Sequence, residues 1–119
     1  FRDFRVYKDA ILFRMEIKVL VKKYFPADEK YQLIDQIIRA ANSIVLNIAE
    51  GSDRGTDKDF ALFLNRSHTS LAEVVACLDK ALNDHYITEN LHNIYLKKAE
   101  DLANQLTAFR RKLLVSPTK

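Results

Sequence analysis

The side chains with the most chemical potential in this sequence are one cysteine and three histidines, Cys77, His68, His85 and His92. A thiol becomes a nucleophile when a neighbouring base or cation lowers its pKa, and histidines bind a metal ion when they are presented close together. No histidine lies one turn from Cys77 on its face of the predicted helix, and the histidines are spread over two helices. We therefore predict no catalytic residue, no metal site and no cofactor, with Cys77 as a half-buried packing residue.

A larger group of polar residues lies on the second and third predicted helices. On the second predicted helix, mostly uncharged amide and hydroxyl side chains occupy a face where a solvent-facing helix normally carries lysine and glutamate. If these helices run antiparallel around a turn near Arg54, Arg39 lies within one turn of Glu73, which predicts an ion pair between them. The predicted polar network consists of Arg39, Ser43, Asn47, Glu50, Arg66, Ser70 and Glu73.

This polar network has two interpretations. It could form a groove that binds a small molecule or a peptide. It could instead fix the register of the two helices or line a contact between subunits. We favour the structural interpretation, because buried polar networks commonly specify one arrangement of packed helices.

Basic residues are concentrated in the first and last segments of the chain. Residues 2–23 hold seven Lys and Arg against three acids, and residues 88–115 hold five against three. A basic surface binds nucleic acid through phosphate contacts. The alternative is an ordinary solvated face, because acids are interleaved and no aromatic residues accompany the charges as stacking platforms. The candidate nucleic-acid contacts are Lys8, Lys18, Lys22, Lys97, Arg110 and Arg111.

Four segments have the apolar spacing of an amphipathic helix, with steps of three and four residues. The first stripe ends at Tyr24 and the third ends at His85. Thr56 and Thr88 are suited to cap the amino termini of helices, and Gly51 is suited to a left-handed carboxyl-terminal cap. The predicted helices cover residues 4–24, 28–50, 57–85 and 88–115.

The length and composition fit an all-α single domain over residues 1–119. The sequence has only two Gly and two Pro, too few for the turns of a sheet-rich fold. Short connections make neighbouring helices antiparallel, which predicts an up-down-up-down four-helix bundle. No apolar run is long enough to span a membrane. Because Cys77 is the one cysteine, we expect a reducing, cytoplasmic location.

The first helix carries a second apolar stripe, formed by Leu12, Met15 and Val19. At 100° per residue, this stripe lies roughly 140° from the core-facing stripe of the same helix. An aligned aliphatic stripe outside the core is the pattern of another buried surface, so we predict a homo-oligomer that uses this face. The last helix carries a fainter stripe at Leu96, Ala103, Thr107 and Leu114.

The chain resembles the bacterial four-helix-bundle family of 23S rRNA-intervening sequence proteins, once labelled ribosomal. The motifs that carry the resemblance are Phe4-Arg-Val-Tyr-Lys-Asp-Ala10, Phe25-Pro26, Ser43-Ile through Asn47-Ile-Ala-Glu-Gly51, and Ser67-His-Thr-Ser70-Leu-Ala-Glu73. One departure is Thr69, where the family usually has glycine, and this predicts a looser helix contact there.

The resemblance implies a four-helix bundle that assembles into homo-oligomers, often pentamers, and it implies no established activity. Related accessory proteins of diversity-generating retroelements share the fold and hold nucleic acid and a reverse transcriptase on a basic surface. We therefore predict a non-enzymatic interaction module whose partners are itself and RNA or an RNA-bound protein. The alternative is a small-molecule or peptide receptor that uses the groove between Arg39 and Glu73.

Overall fold

The structure, a computed structural model, describes residues 1–115 and is built from four long helices. Consecutive helices run antiparallel and form a rod of 50 × 25 × 21 Å, which confirms the predicted up-down-up-down four-helix bundle. Residues 116–119 of the predicted domain lie outside the described residues. The helices are α1 (Arg5–Tyr24), α2 (Asp35–Ser52), α3 (Asp57–Asn83) and α4 (Glu89–Val115).

The apolar stripes of the four helices meet in one continuous core. Two predicted core positions are wrong. Tyr24 is 37% exposed, because α1 ends at this residue and Val21 fills the core in its place. His85 is exposed and has a φ of 64°, because the chain leaves α3 and turns there. The largest fully buried side chains are Ile17, Leu20, Ile37, Ile44, Ile48, Leu64, Leu78 and Leu106.

The second helix begins later than residue 28, where the sequence predicted it. A 3₁₀ turn, Ala27–Glu29, and a π-helical turn, Lys30–Ile34, come before α2. The wider π turn brings Leu33 into the core, where it is 5% exposed. The Tyr86 hydroxyl donates a hydrogen bond of 2.7 Å to Glu29, and this bond raises the pKa of Tyr86 to about 12. The irregular turns are thus tied to the connection between α3 and α4.

The amino-terminal caps are confirmed, but the predicted cap at Gly51 is wrong. The Thr56 hydroxyl accepts from the Asp59 N–H at 3.1 Å, and the Thr88 hydroxyl accepts from the Leu91 N–H at 3.2 Å. Gly51 lies inside α2, which continues to Ser52, and its φ is not positive. A Cβ atom at Gly51 would lie 2.6 Å from the Cβ of Phe63 on α3. Gly51 is therefore needed for a close approach of two helices.

Small hydroxyl residues continue this close contact between α2 and α3. The Ser67 hydroxyl is fully buried and donates to the Ile44 carbonyl oxygen at 2.8 Å. Thr69 is exposed and donates to the Asn65 carbonyl oxygen within its own helix. The predicted loosening at Thr69 is wrong, because this side chain lies on the outer face of α3, away from the contact.

We expect Gly51→Ala to lower the free energy of unfolding by about 1–3 kcal/mol, because the added methyl group overlaps Phe63. A loss of stability would be informative, because alanine is otherwise more stable than glycine within a helix by about 1 kcal/mol. Gly55→Ala is the matched control, because nothing lies within 4 Å of a Cβ added there. It should be neutral or stabilise by up to about 1 kcal/mol. Chemical denaturation measures both variants, and equal stabilities would contradict the close-contact role of Gly51.

Candidate functional site

An open groove between α2 and α3 contains three members of the predicted polar network. Its volume is about 460 Å³. Arg39, Ser43 and Glu73 line it, together with Tyr31, Asp35 and Gln36. Tyr31 is not among the residues predicted from the sequence; its aromatic side chain is 84% exposed and lines the groove. Tyr31 lies within the π-helical turn, which has no clear signature in the sequence.

The predicted ion pair between Arg39 and Glu73 is wrong. The Arg39 guanidinium instead contacts the Asp35 carboxylate one turn earlier on α2, with an Nη2–Oδ2 distance of 3.0 Å. Asp35 shares a helix face with Arg39, so this pair forms without any reach between helices. Glu73 lines the same groove and has no ion pair within residues 1–115. Both members of the observed pair are largely solvated, at 78% and 47% exposure.

The centre of the predicted network is a chain of hydrogen bonds across the two helices. The Ser70 hydroxyl donates to the Ser43 hydroxyl oxygen at 2.8 Å. The Asn47 amide donates to the Ser43 hydroxyl oxygen at 3.0 Å and to the Ser43 carbonyl oxygen at 2.9 Å. These side chains are buried or half-buried, and the bond from Ser70 to Ser43 links α3 to α2 in one register, whereas the Asn47 bonds lie within α2.

The remaining two members lie at the end of the bundle near the connection of α2 and α3. Glu50 pairs with Arg54 at 3.4 Å on the exposed surface. The Arg66 guanidinium stacks over the Phe63 ring, 4.5 Å from its centroid, and Arg54 lies 4.4 Å from the same centroid. The structure therefore does not bring all seven predicted residues into one site.

A second concavity of about 320 Å³ extends the groove towards the far end of α3. Lys80 on α3 lines this second concavity and donates at 3.2 Å to the side chain of Gln36, which lines both concavities. The lining acids are Asp35 and Glu73 in the first concavity, with Glu29 and Asp84 in the second. They outnumber the lining cations, so the groove is poorly suited to a phosphate backbone.

The second apolar stripe of α1 is on the molecular surface. Leu12 is 52%, Met15 56% and Val19 59% exposed. The opposite side of the same helix fills the core. α1 is also fixed on both flanks, because Arg14 donates to Asn42 on α2 and Lys98 on α4 pairs with Glu16 at 2.8 Å. A rotation of α1 about its own axis that turned the stripe into the core would break these two contacts.

Among the candidate nucleic-acid contacts, Arg110 lies apart from the three lysines of α1. Lys8, Lys18 and Lys22 are exposed on α1 around the apolar stripe. Arg110 lies on the other side of α4, where it lines a small cleft with His68 of α3. The remaining two residues differ in their pairing: Arg111 has no ion pair in the described chain, whereas Lys97 pairs with Asp101 at 3.2 Å.

Of the residues considered first for catalysis, Cys77 and His92 are buried, whereas His68 and His85 are exposed. Cys77 is fully buried rather than half-buried, and this burial raises the pKa of its thiol. The His92 Nε2 atom lies 2.8 Å from an Asp79 carboxylate oxygen. Residues 1–115 contain no group of three side chains placed to hold a metal ion. None of the described helices combines the length and apolar character required to cross a membrane.

Comparisons with known proteins identify relatives of this fold. Residues 2–108 match the family described as 23S rRNA-intervening sequence protein. A similar solved structure is a protein of unknown function from the S23 ribosomal protein family of Bacteroides thetaiotaomicron VPI-5482. It has a TM-score of 0.80 and 22% identity, with 88% of this chain and 97% of that chain covered. No curated protein matches the sequence.

Double-mutant cycles should separate the two possible partners of Arg39. The Arg39→Ala and Asp35→Ala pair is expected to couple by about 0.3–0.5 kcal/mol, as an exposed i, i+4 ion pair does. The matched cycle of Arg39→Ala with Glu73→Ala should give a coupling near zero, because these side chains share the groove without pairing. Urea denaturation of the variants provides the energies. A coupling above about 1 kcal/mol between Arg39 and Glu73 would contradict the observed pairing.

Proposed function

We propose that this chain, which belongs to the 23S rRNA-intervening sequence protein family, is a self-assembling interaction module rather than an enzyme. The observation that carries the proposal is the stripe of Leu12, Met15 and Val19, each more than half exposed on a helix whose other side already fills the core. Scattered exposed apolar residues are ordinary on protein surfaces, but an aligned aliphatic row is typical of a contact surface.

The energy available from the stripe sets what the partner surface must supply. Burial of each large aliphatic side chain contributes roughly 1.5–3 kcal/mol. Loss of translational and rotational freedom on association costs about 4–15 kcal/mol. The free energy gained by burying the three side chains alone offsets only the lower part of this range of costs. A stable assembly therefore needs a partner surface that is itself apolar, so that both sides of the contact lose exposed apolar area.

The partner that we propose beyond a second copy is RNA or an RNA-bound protein. The chain has a net charge of +3, and Arg110 and Arg111 are exposed without ion pairs in the described chain. One copy presents too few cations for strong phosphate binding. Assembly repeats the same cations around the complex, so that several phosphates can be contacted together. The buried lone cysteine suits the cytoplasm, where such a partner is present.

A second candidate function is that of a receptor for a peptide or small molecule, and the groove between α2 and α3 favours it. The groove has an exposed aromatic ring at Tyr31 and a carboxylate at Glu73 without an ion pair among residues 1–115. These groups suit a cationic ligand, which would stack on the ring and pair with the carboxylate. Stabilisation of the wild type, but not of Glu73→Gln, by an arginine-rich peptide in thermal unfolding would support this function over the first.

The self-assembly proposal is tested by light scattering coupled to size exclusion. At tens of micromolar, we expect the wild type to have the mass of two or more copies of the 13.8 kDa chain. Replacement of Met15 by Glu together with Val19 by Lys should give the monomer mass, because it places charges on the stripe. The helical circular dichroism signal should stay unchanged, since both side chains are exposed. A monomeric wild type would refute self-assembly, and an assembled double variant would show that another face is used.

The RNA proposal is tested by titration of a structured RNA at two salt concentrations, about 50 and 200 mM. Affinity should fall steeply with salt, because bound cations displace counterions from the phosphates. Arg110→Ala with Arg111→Ala should reduce the salt slope by about 0.7–0.9 for each lost phosphate contact. Lys97→Ala is the matched control and should change binding less, because Lys97 is paired with Asp101 whereas the two arginines have no ion pair in residues 1–115. Absence of binding at the lower salt concentration would contradict the proposal.

A further inference from the structure

An apolar groove lies between α3 and α4, on a different side of the bundle from the stripe of α1. Its volume is about 370 Å³. The buried side chains of Leu71 and Ala99 form its floor, and exposed Ala72 lies on its α3 edge. Val75, Leu96 and Ala103 are also in the lining and are half-buried, and the exposed side chains of His68 and Glu100 complete it. Because three of the eight lining residues are alanine, the backbones of α3 and α4 are accessible to large side chains of another helix.

We infer that this groove receives the α1 stripe of a second copy of the chain, in a head-to-tail contact with the two copies pointing the same way. The inference rests on the proposed self-assembly and specifies its second surface. The first supporting observation is a match in length. Leu12 to Val19 is a step of seven residues on α1, and the groove also spans seven-residue steps on both helices, from His68 to Val75 and from Leu96 to Ala103. Each step is about 10 Å long at 1.5 Å per residue.

Charge complementarity supports the same pairing of surfaces. The exposed face of α1 around the stripe carries Lys8, Lys18 and Lys22, and its acids Asp9 and Glu16 are turned towards α4. The groove has an acid of its own, Glu100, in its lining. Asp79 lies one turn beyond Val75 on α3, where one carboxylate oxygen lies 2.8 Å from His92 Nε2 and the side chain stays 61% exposed, and it adds a second carboxylate at that end. A basic helix would therefore meet an acidic rim around an apolar centre.

The distribution of these charges along the groove sets the direction of the docked helix. Asp79 marks one end of the groove, and Arg110 lies beyond the other end, past Ala103 on α4. The Val19 end of the stripe is the more basic, since Lys18 and Lys22 flank it. Placing this end beside Asp79 makes the docked α1 parallel to α3. Within one bundle α1 and α3 also run in the same direction, so the two copies point the same way.

A symmetric contact of stripe against stripe is disfavoured by the same lysines. A two-fold axis through Met15 would bring Lys8 of one copy level with Lys22 of the other, because both lie seven residues from Met15. Like charges would then meet at both ends of the contact. The head-to-tail arrangement avoids this repulsion. Since each copy then offers two different surfaces, repeated contacts generate a ring when the rotation closes.

Three arginine substitutions test the pairing of surfaces. Met15→Arg blocks the stripe, Ala72→Arg blocks the groove, and Ala108→Arg is the matched control at an exposed alanine of α4 outside both. Arginine is a good helix former, so all three variants should keep the wild-type helical signal. We expect the control to assemble like the wild type. The stripe and groove variants should each sediment as monomers of 13.8 kDa.

An equimolar mixture of the stripe and groove variants gives the decisive result. One variant keeps an intact groove and the other an intact stripe, so the mixture should form a one-to-one dimer and nothing larger. A mixture that stays monomeric would overturn the inference. The inference would also be overturned if Ala72→Arg assembled like the wild type while Met15→Arg stayed monomeric. The stripe would then contact a surface other than the groove. That second outcome would leave self-assembly intact, whereas a monomeric wild type would remove the proposed function first.

Discussion

The close approach of α2 and α3 is the constraint on which the rest of the bundle depends. At Gly51 the backbone of α2 lies so near to α3 that no side chain fits between Gly51 and Phe63. Further along, the hydroxyls of Ser67 and Ser70 bond directly to α2, to the Ile44 carbonyl oxygen and to the Ser43 hydroxyl. Small residues allow the approach, and hydrogen bonds satisfy the polar groups that it buries. α1 and α4 then pack their apolar stripes on this pair.

This constraint also decides which polar residues are free to act. Ser43, Asn47 and Ser70 are engaged with one another between the helices, so they have a structural role in the described chain. The groove that remains beside them is open and acidic, and its arginine is already paired. α1 is different, because it is apolar on two sides and only one side fills the core. The surface of α1, rather than the polar groove, is therefore the stronger candidate for the working surface of this protein.

Much of this architecture could be predicted from spacing alone, because each helix is held by a periodic apolar stripe that is local in sequence. The two threonine caps and the outward position of Leu12, Met15 and Val19 are local in the same sense. The failures concern contacts between distant residues. A glycine at the end of a helical pattern suits a cap or a close contact equally well, and only Phe63 on α3 decides between them. The partner of Arg39 likewise depends on the helix register, and the nearer Asp35 on its own helix takes it.

The central claim, that the α1 stripe is buried against another copy, can be measured at Met15, the one methionine in the sequence. In an isolated chain Met15 is 56% exposed, so its sulfur should be readily oxidised by peroxide. In the assembly the oxidation rate should fall, and it should recover when the protein is diluted below the concentration at which it dissociates. Mass spectrometry of the oxidised fraction over a dilution series provides the rates. An oxidation rate that stays the same at every protein concentration would contradict the account.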